Sequence, residues 1–165
     1  MKQKGFTLIE LLVVMAITTV LGALTIAGVD NYNHVQVLQT STNEVVTMLN
    51  EAKSRAQSQV KLGNCSEIAD RTLVDYRVDI SQTNNSYSLS IDCQDSSDPP
   101  NIYPEVLETE NLPKNVSFTS QSSPSFSFPV ISGGVQAVGI IKISGSGKTK
   151  MITVSALGGI SVQND

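Results

Sequence analysis

The sequence predicts an α+β protein in which one long N-terminal helix packs on an antiparallel β-sheet. Two changes of pattern along the 165 residues predict this fold. An apolar N-terminal run gives way to a one-sided apolar stripe, which is typical of a helix that leaves an apolar environment and then packs on a protein core. After Gly63 the pattern changes to short alternating strands separated by Ser, Gly and Pro.

These patterns divide the chain into four segments. We expect a short basic segment at residues 1–5 and an apolar transmembrane helix at residues 6–29. The helix then continues as an amphipathic segment over residues 30–63, and a β-rich head follows at residues 64–165.

The first helical segment is apolar over a length that fits a bilayer. From Leu11 to Val29 there are 19 residues without a charged side chain, which span roughly 28 Å as a helix. Lys2 and Lys4 precede this run, so the positive-inside rule keeps them in the cytoplasm and directs the rest of the chain outward. A secretory signal peptide or a plain single-span anchor has the same outline. Neither explains Glu10, because a carboxylate inside an apolar run costs about 2.5–3.5 kcal/mol on insertion.

The ten residues from Gly5 to Val14 resemble the processing motif of type IV pilins and type II secretion pseudopilins. The resemblance implies a pilin-like fold, a leader peptide at residues 1–5 that a prepilin peptidase removes by a cut between Gly5 and Phe6, and methylation of the new amino group of Phe6. It implies that the helix at residues 6–29 later forms part of a filament core. It implies that Glu10 pairs with the N-terminal ammonium of a neighbouring subunit during assembly. It also implies a single-pass protein of the bacterial inner membrane, whose C-terminal part lies outside the cytoplasm and which later joins a pilus or pseudopilus.

The chemistry of Glu10 agrees with that implied role. A buried carboxylate is tolerable when a cation pairs with it and costly otherwise, so the pairing sets the axial register of packed helices. In one respect the helix departs from many pilins, since it has Gly22 and Gly28 where they often carry a proline. These glycines favour either local unwinding in a filament or close helix packing, and the sequence leaves both open.

The helix continues beyond residue 30 as an amphipathic element. Its apolar stripe recurs at helical spacing and predicts one face packed on the sheet, with Gly63 as the C-terminal cap. The stripe consists of Leu38, Val45, Leu49, Ala52, Ala56 and Val60.

Alternating segments downstream predict a hairpin and further short strands in one antiparallel sheet. Asp95–Pro104 is expected to be a loop because it contains three prolines, and the carboxylates of Glu105, Glu108 and Glu110 are read as a solvated acidic face beside it. The predicted strands are residues 73–80, 87–91, 116–119, 126–128, 139–144, 151–155 and 160–162.

Two further stretches of the chain resemble the minor pseudopilin H family. These are Leu49–Gln57 at the end of the helix and the strand, glycine turn and strand of Ile152–Val162. Some competence-linked relatives bind DNA through a basic turn near the C-terminus, but Gly159–Val162 contains no arginine. Together with a net charge of −4, this argues against nucleic acid as a partner.

Cys65 and Cys93 are expected to form a disulfide if the head faces an oxidising compartment. The bond would pin the predicted hairpin to the end of the helix. Its expected stabilisation is about 3–4 kcal/mol in the chain-entropy model. Two free thiols, in an organism that makes few disulfides, are the alternative.

No catalytic, cofactor or metal site is predicted. His34 and the two cysteines are too few and too scattered for a metal site. The run Gly145–Thr149 resembles a phosphate-binding loop, but Lys142 stands where that motif needs its first glycine, so a hairpin turn is expected. Lys142, Lys148 and Lys150 around it are interpreted as a solvated strand edge rather than an anion or DNA contact.

The sequence therefore predicts a structural protein and not an enzyme. We expect a minor pilin or pseudopilin of a type IV filament or type II secretion pseudopilus, with prepilin peptidase, other pilin subunits and the inner membrane as partners. The alternatives are a major pilin in adhesion, motility or DNA uptake, or a tip adhesin or DNA-binding minor pilin.

Overall fold

The computed structural model describes residues 7–164. Within this range, residues 23–31 are described by their backbone alone. It has a long helix, a short helix and eight strands in the order ααββββββββ. The helices are α1 (Leu8–Gln57) and α2 (Asn64–Glu67), and the strands are β1 (Thr72–Ser81), β2 (Ser86–Gln94), β3 (Ile102–Asn111), β4 (Val116–Phe118), β5 (Ser125–Pro129), β6 (Gly139–Gly145), β7 (Lys148–Val154) and β8 (Ile160–Asn164). The predicted α+β class is confirmed.

The C-terminal half of α1 buries the predicted stripe. Leu38, Val45, Leu49, Ala52 and Ala56 are each at most 1% exposed, whereas Val60, the last predicted member, is 40% exposed. Ser41, Thr42 and Met48 are buried beside them. The stripe prediction is therefore confirmed up to the point where the helix ends.

Helix α1 ends at Gln57, so the predicted end at Gly63 is wrong. Gln59 adopts a left-handed φ of 51°, and the amide of Val60 reaches back to the carbonyl of Arg55 at 3.1 Å. This Schellman-type closure satisfies the last carbonyls without a glycine. Gly63, with φ of 50°, instead precedes α2, where a positive φ is again needed.

The strands form two four-stranded antiparallel sheets instead of the single sheet that the sequence predicts. The first has the order β3-β2-β1-β5 and the second β4-β6-β7-β8. Helix α1 contacts strands of both sheets, so one helical face closes a core that spans them. Alternation alone marks each strand but not its sheet, because sheet membership depends on long-range pairing.

The predicted hairpin is present as β1 and β2, paired from Thr72–Gln94 to Ser81–Ser86. Tyr76, Val78 and Ile80 of β1 are buried under α1 with their neighbours on β2. The stretch after the loop differs from the prediction, because residues 102–111 form β3 along the outer edge of β2. Pro104 is accommodated there since edge strands tolerate the loss of an N–H group.

The turn between β6 and β7 is the hairpin turn that the sequence predicts. Gly145 and Lys148 are paired, and Ser146 and Gly147 between them have φ values of 52° and 74°. Two consecutive left-handed residues are the signature of a two-residue type I′ turn. A phosphate-binding loop would need a helix to follow, and here β7 follows.

Candidate functional site

The predicted processing site lies outside the described residues. Gly5 and Phe6 come directly before Thr7, where the described chain begins. Cleavage between them and methylation of Phe6 therefore stay predictions.

The first described turn of α1 is closed by a reciprocal pair of side chains, Thr7 and Glu10. Thr7 is the N-cap, with extended φ and ψ of −78° and 150°, and its hydroxyl oxygen accepts from the Glu10 amide at 3.3 Å. The Glu10 carboxylate accepts from the Thr7 amide at 3.3 Å and from its hydroxyl at 3.2 Å. This is a capping box, and the negative charge of Glu10 is also attracted by the positive end of the helix dipole.

Glu10 therefore has local partners in the isolated subunit. In the sequence Glu10 stands as a lone charge in an apolar run, and its contact with Thr7 was not predicted. The signal was present, because Thr7 and Glu10 have the spacing of a capping box in front of an apolar run. Pairing of Glu10 with another subunit's ammonium remains a prediction.

The helix around this turn is apolar on every side and has no cover from its own chain. All large apolar side chains between Leu8 and Leu21 are at least 48% exposed. The hydroxyls of Thr18 and Thr19 donate to the Met15 carbonyl at 3.0 and 2.7 Å, so these polar groups are satisfied inside the helix. A helix of this character is stable when lipid or other helices surround it.

None of the helical segments that the structure describes combines the length and apolar character that a membrane crossing requires. Helix α1 runs without interruption across Gly22 and Gly28. A Cβ added at Gly22 would meet nothing within 4 Å, so the isolated chain does not require a glycine there. Unwinding or close packing at these glycines stays a prediction.

The expected disulfide between Cys65 and Cys93 is present, with Cα atoms 5.7 Å apart. It joins α2 to β2 at the end of the head where α1 stops, and both cysteines are buried. Two contacts support it, since Glu105 accepts from the Asn64 amide at 2.6 Å and the Tyr76 hydroxyl donates to the Val60 carbonyl at 2.7 Å. Glu105 is thus part of the scaffold rather than of a solvated acidic face.

The face of the first sheet that points away from α1 carries one arginine among three carboxylates. Arg77 donates to Asp92 at 2.7 Å and to Asp79 at 3.0 Å, while Asp75 accepts from Ser127 at 2.6 Å. Asp92 is only 7% exposed. Burial raises its pKa; Arg77 opposes this rise, and Asp75 and Asp79 add to it.

A groove runs along one flank of α1, between the helix and the edge strand β3. It has a volume of about 620 Å³ and adjoins a second groove of about 370 Å³ that continues toward Asn33. We call the larger one the acidic groove, because four glutamates line it beside Tyr87: Glu44 and Glu51 from α1, and Glu108 and Glu110 from β3.

Lysines occupy the other flank of α1. Lys150 of β7 donates to the side chain of Gln39 at 2.6 Å, Lys53 donates to the Gly158 carbonyl at 2.9 Å, and Lys148 is exposed at the start of β7. We call Lys53, Lys148 and Lys150 the lysine flank. Glu44 follows Gln39 by five residues, which turns it by about 140° around the helix axis. The head thus has opposite charge on its two flanks.

These surfaces are suited to association with other molecules. Within residues 7–164, no group of three or more His, Cys, Asp or Glu side chains is arranged to hold a metal ion. What the described chain offers is an exposed apolar helix with a capped carboxylate, a braced head and two oppositely charged flanks.

Comparison with known proteins supports that description. Residues 1–26 match the family described as the prokaryotic N-terminal methylation motif. No solved structure matches the chain. The motif supports a type IV pilin-like structural subunit, processed by a prepilin peptidase and assembled with other pilin subunits. It is consistent with the α+β arrangement of one helix packed on antiparallel sheets.

Proposed function

We propose that this chain is a minor pilin or pseudopilin, a structural subunit of a type IV filament or type II secretion pseudopilus. The observation that carries the proposal is the methylation motif at residues 1–26, followed by an apolar helix that its own head leaves exposed. In this proposal residues 6–29 anchor the chain in the inner membrane with the head outside the cytoplasm. The same helix later packs among others in the filament.

Processing and assembly are coupled through Glu10 in this proposal. Cutting after Gly5 creates an amino group at Phe6, which is the cation that a carboxylate in apolar surroundings requires. Before assembly the capping box holds Glu10 through two donors of Thr7. Assembly replaces these weak bonds with a charge pair to a neighbouring chain, which stabilises most where water is excluded.

The assignment as a minor rather than a major subunit rests on the resemblance of Leu49–Gln57 and Ile152–Val162 to the pseudopilin H family. The structure is compatible with it, because a turn at Gly158 joins the paired strands β7 and β8. A second candidate is a major pilin that forms a filament shaft. The charge contrast between the two flanks of α1 favours it, since a chain with two complementary surfaces can continue an array of identical copies.

The proposal is tested by coexpressing the chain with a prepilin peptidase and measuring intact masses. The expected product begins at Phe6 and carries one methyl group, and a Gly5→Leu variant is expected to stay uncut. Glu10→Ala should be cut and methylated but largely absent from sheared filaments. An uncut wild-type chain would refute the proposal, and normal assembly of Glu10→Ala would refute the pairing alone. Dominance of the chain in the sheared fraction would favour the major pilin.

A further inference from the structure

The acidic groove contains a tyrosine hydroxyl that lacks a partner among the described residues. Tyr87 is 3% exposed, and its ring packs edge-on against Phe118 with centroids 6.3 Å apart. Its hydroxyl lines the groove and forms no hydrogen bond with a described residue. Burial, with Glu44, Glu110 and Glu108 nearby, raises the pKa of Tyr87 to about 12. The hydroxyl therefore stays a donor at physiological pH, and it can donate to an acceptor that enters the groove.

The groove also lacks cations. Glu51 pairs with Arg55, but no salt bridge within residues 7–164 involves Glu44, Glu108 or Glu110. All three are exposed at the rim of the groove. A ligand that fits must bring positive charge together with an acceptor for the tyrosine hydroxyl.

The chain itself carries such a ligand on its opposite flank. Lys148 is exposed next to the turn of the β6–β7 hairpin, and Lys150, two residues further along β7, donates to Gln39 of its own chain and would exchange this neutral partner for a carboxylate. Neither lysine forms a salt bridge with a described residue. The turn between the strands, Ser146–Gly147, is exposed and supplies backbone carbonyls. The hairpin thus combines ammonium groups with hydrogen-bond acceptors. Two different surfaces that complement each other produce a head-to-tail contact, which propagates as a filament.

We propose that the acidic groove is the docking site for the β6–β7 hairpin of a second copy of this chain. Lys148 and Lys150 of one copy contact Glu44 and Glu110 of the next, and the Tyr87 hydroxyl donates to a carbonyl of the hairpin. This contact rests on the proposed function, because it orders neighbouring heads in a filament. It implies that the chain occurs in runs of at least two copies.

The contact requires an axial offset between the two copies. Lys150 lies at the level of Gln39, five residues before Glu44, so docking needs an outward shift of one copy by about 7.5 Å.

Two charge-reversed forms of the full chain test the proposal. The groove variant carries Glu44→Lys and Glu110→Lys, and the hairpin variant carries Lys148→Glu and Lys150→Glu. Each is expressed alone, and then both together, with the chain's own assembly machinery. Each alone should enter sheared filaments about tenfold less than wild type, because like charges then meet. Coexpression should restore incorporation, since groove lysines of one variant meet hairpin glutamates of the other.

Glu67→Lys, an exposed reversal on α2 outside both surfaces, is the matched control and should assemble as wild type. An unchanged urea-unfolding midpoint of each variant in detergent shows that it has folded. If the variants assemble as well as wild type, the docking proposal is wrong while the proposed function stands. It is also wrong if each variant folds and fails alone but coexpression restores nothing, because the hairpin is then not the occupant.

Carbodiimide cross-linking of the wild-type chain in membranes gives a readout that does not need filaments. Mixed light and heavy isotope-labelled chains should yield a Glu–Lys cross-link between a groove peptide and a hairpin peptide of different chains. Such a cross-link without incorporation into filaments would preserve the docking and refute the proposed function. Absence of both would refute the two together.

Discussion

The two halves of α1 are equally helical but differ in what covers them. Between Leu8 and Leu21 every large apolar side chain is at least 48% exposed, and these side chains lie all around the helix. In the second half one apolar stripe lies under the two sheets, and its members are each at most 1% exposed: Leu38, Val45, Leu49, Ala52 and Ala56. The second half is completed by its own chain, whereas the first half must be covered by lipid or by other chains. Substitutions in the second half should therefore affect folding, and those in the first half should affect association.

The largest effect that tests this contrast is expected from Leu49→Ala. Leu49 is 0% exposed in the core, so the cavity should lower the free energy of unfolding of the head by about 2–5 kcal/mol. Urea unfolding of the full chain in detergent, followed by tyrosine fluorescence, measures it. Leu12→Ala removes the same atoms from a residue that is 57% exposed and should leave head stability unchanged. Equal losses in the two variants would contradict the contrast.

A slightly smaller effect is expected when the disulfide is removed. Cys65 and Cys93 are separated by 28 positions, so Cys65→Ser with Cys93→Ser should lower the unfolding free energy by about 3 kcal/mol. The same urea titration measures it, and wild-type chain under reducing conditions should behave alike. An unchanged midpoint would show that the core holds the end of α1 without the bond.

Thr7→Val sharpens the contrast at the other end of α1. Loss of the N-cap should destabilise the first turn by about 0.5–2 kcal/mol without changing the stability of the head. Faster hydrogen exchange at the Glu10 amide in detergent measures the local effect. Thr19→Val is a matched control, because its hydroxyl bonds a carbonyl inside the helix and caps nothing. Exchange that rises equally in both variants would contradict the capping account.

The smallest effect is expected from Asp92→Asn, and it depends on pH. Since burial raises the folded-state pKa of Asp92 above its unfolded value, charging this group opposes folding. Its contribution to stability therefore improves as pH falls from neutral through the folded pKa and is complete below the unfolded pKa. The variant should be more stable than wild type at pH 7, by less than about 1 kcal/mol, and should lose that advantage near pH 4.

Urea titrations at several pH values test this, with the exposed Asp98→Asn as the control. Lower stability of Asp92→Asn at pH 7 would mean that the attraction of Arg77 outweighs the cost of burial. Asp92 and Asp98 both belong to the head, whereas Thr7 caps the first half of α1. If the effect of Thr7→Val showed the same pH dependence, the separation between the two halves of α1 would be contradicted.

Most of the secondary structure was predictable because it depends on local periodicity. The stripe from Leu38 to Ala56 and the alternation in β1 and β2 each place apolar side chains on one face, and the structure buries them there. Strand β3 was not predictable in this way. Its proline and glutamates favour a loop, and only pairing with β2 makes it a strand. The end of α1 was predicted at Gly63 because the left-handed residue that follows a helix is usually a glycine. In the structure Gln59 adopts this conformation instead.

The features of the candidate site also differ in whether the sequence alone predicts them. The sequence by itself determined the apolar first half of α1, the motif around Glu10 and the partners Cys65 and Cys93, because each is a matter of residue type and short spacing. Only the tertiary structure decided that β3 forms one wall of an acidic groove and that lysines lie across the helix from it. The physical reason is that facing surfaces are built from residues far apart in the chain, whose meeting depends on how the sheets close around the helix.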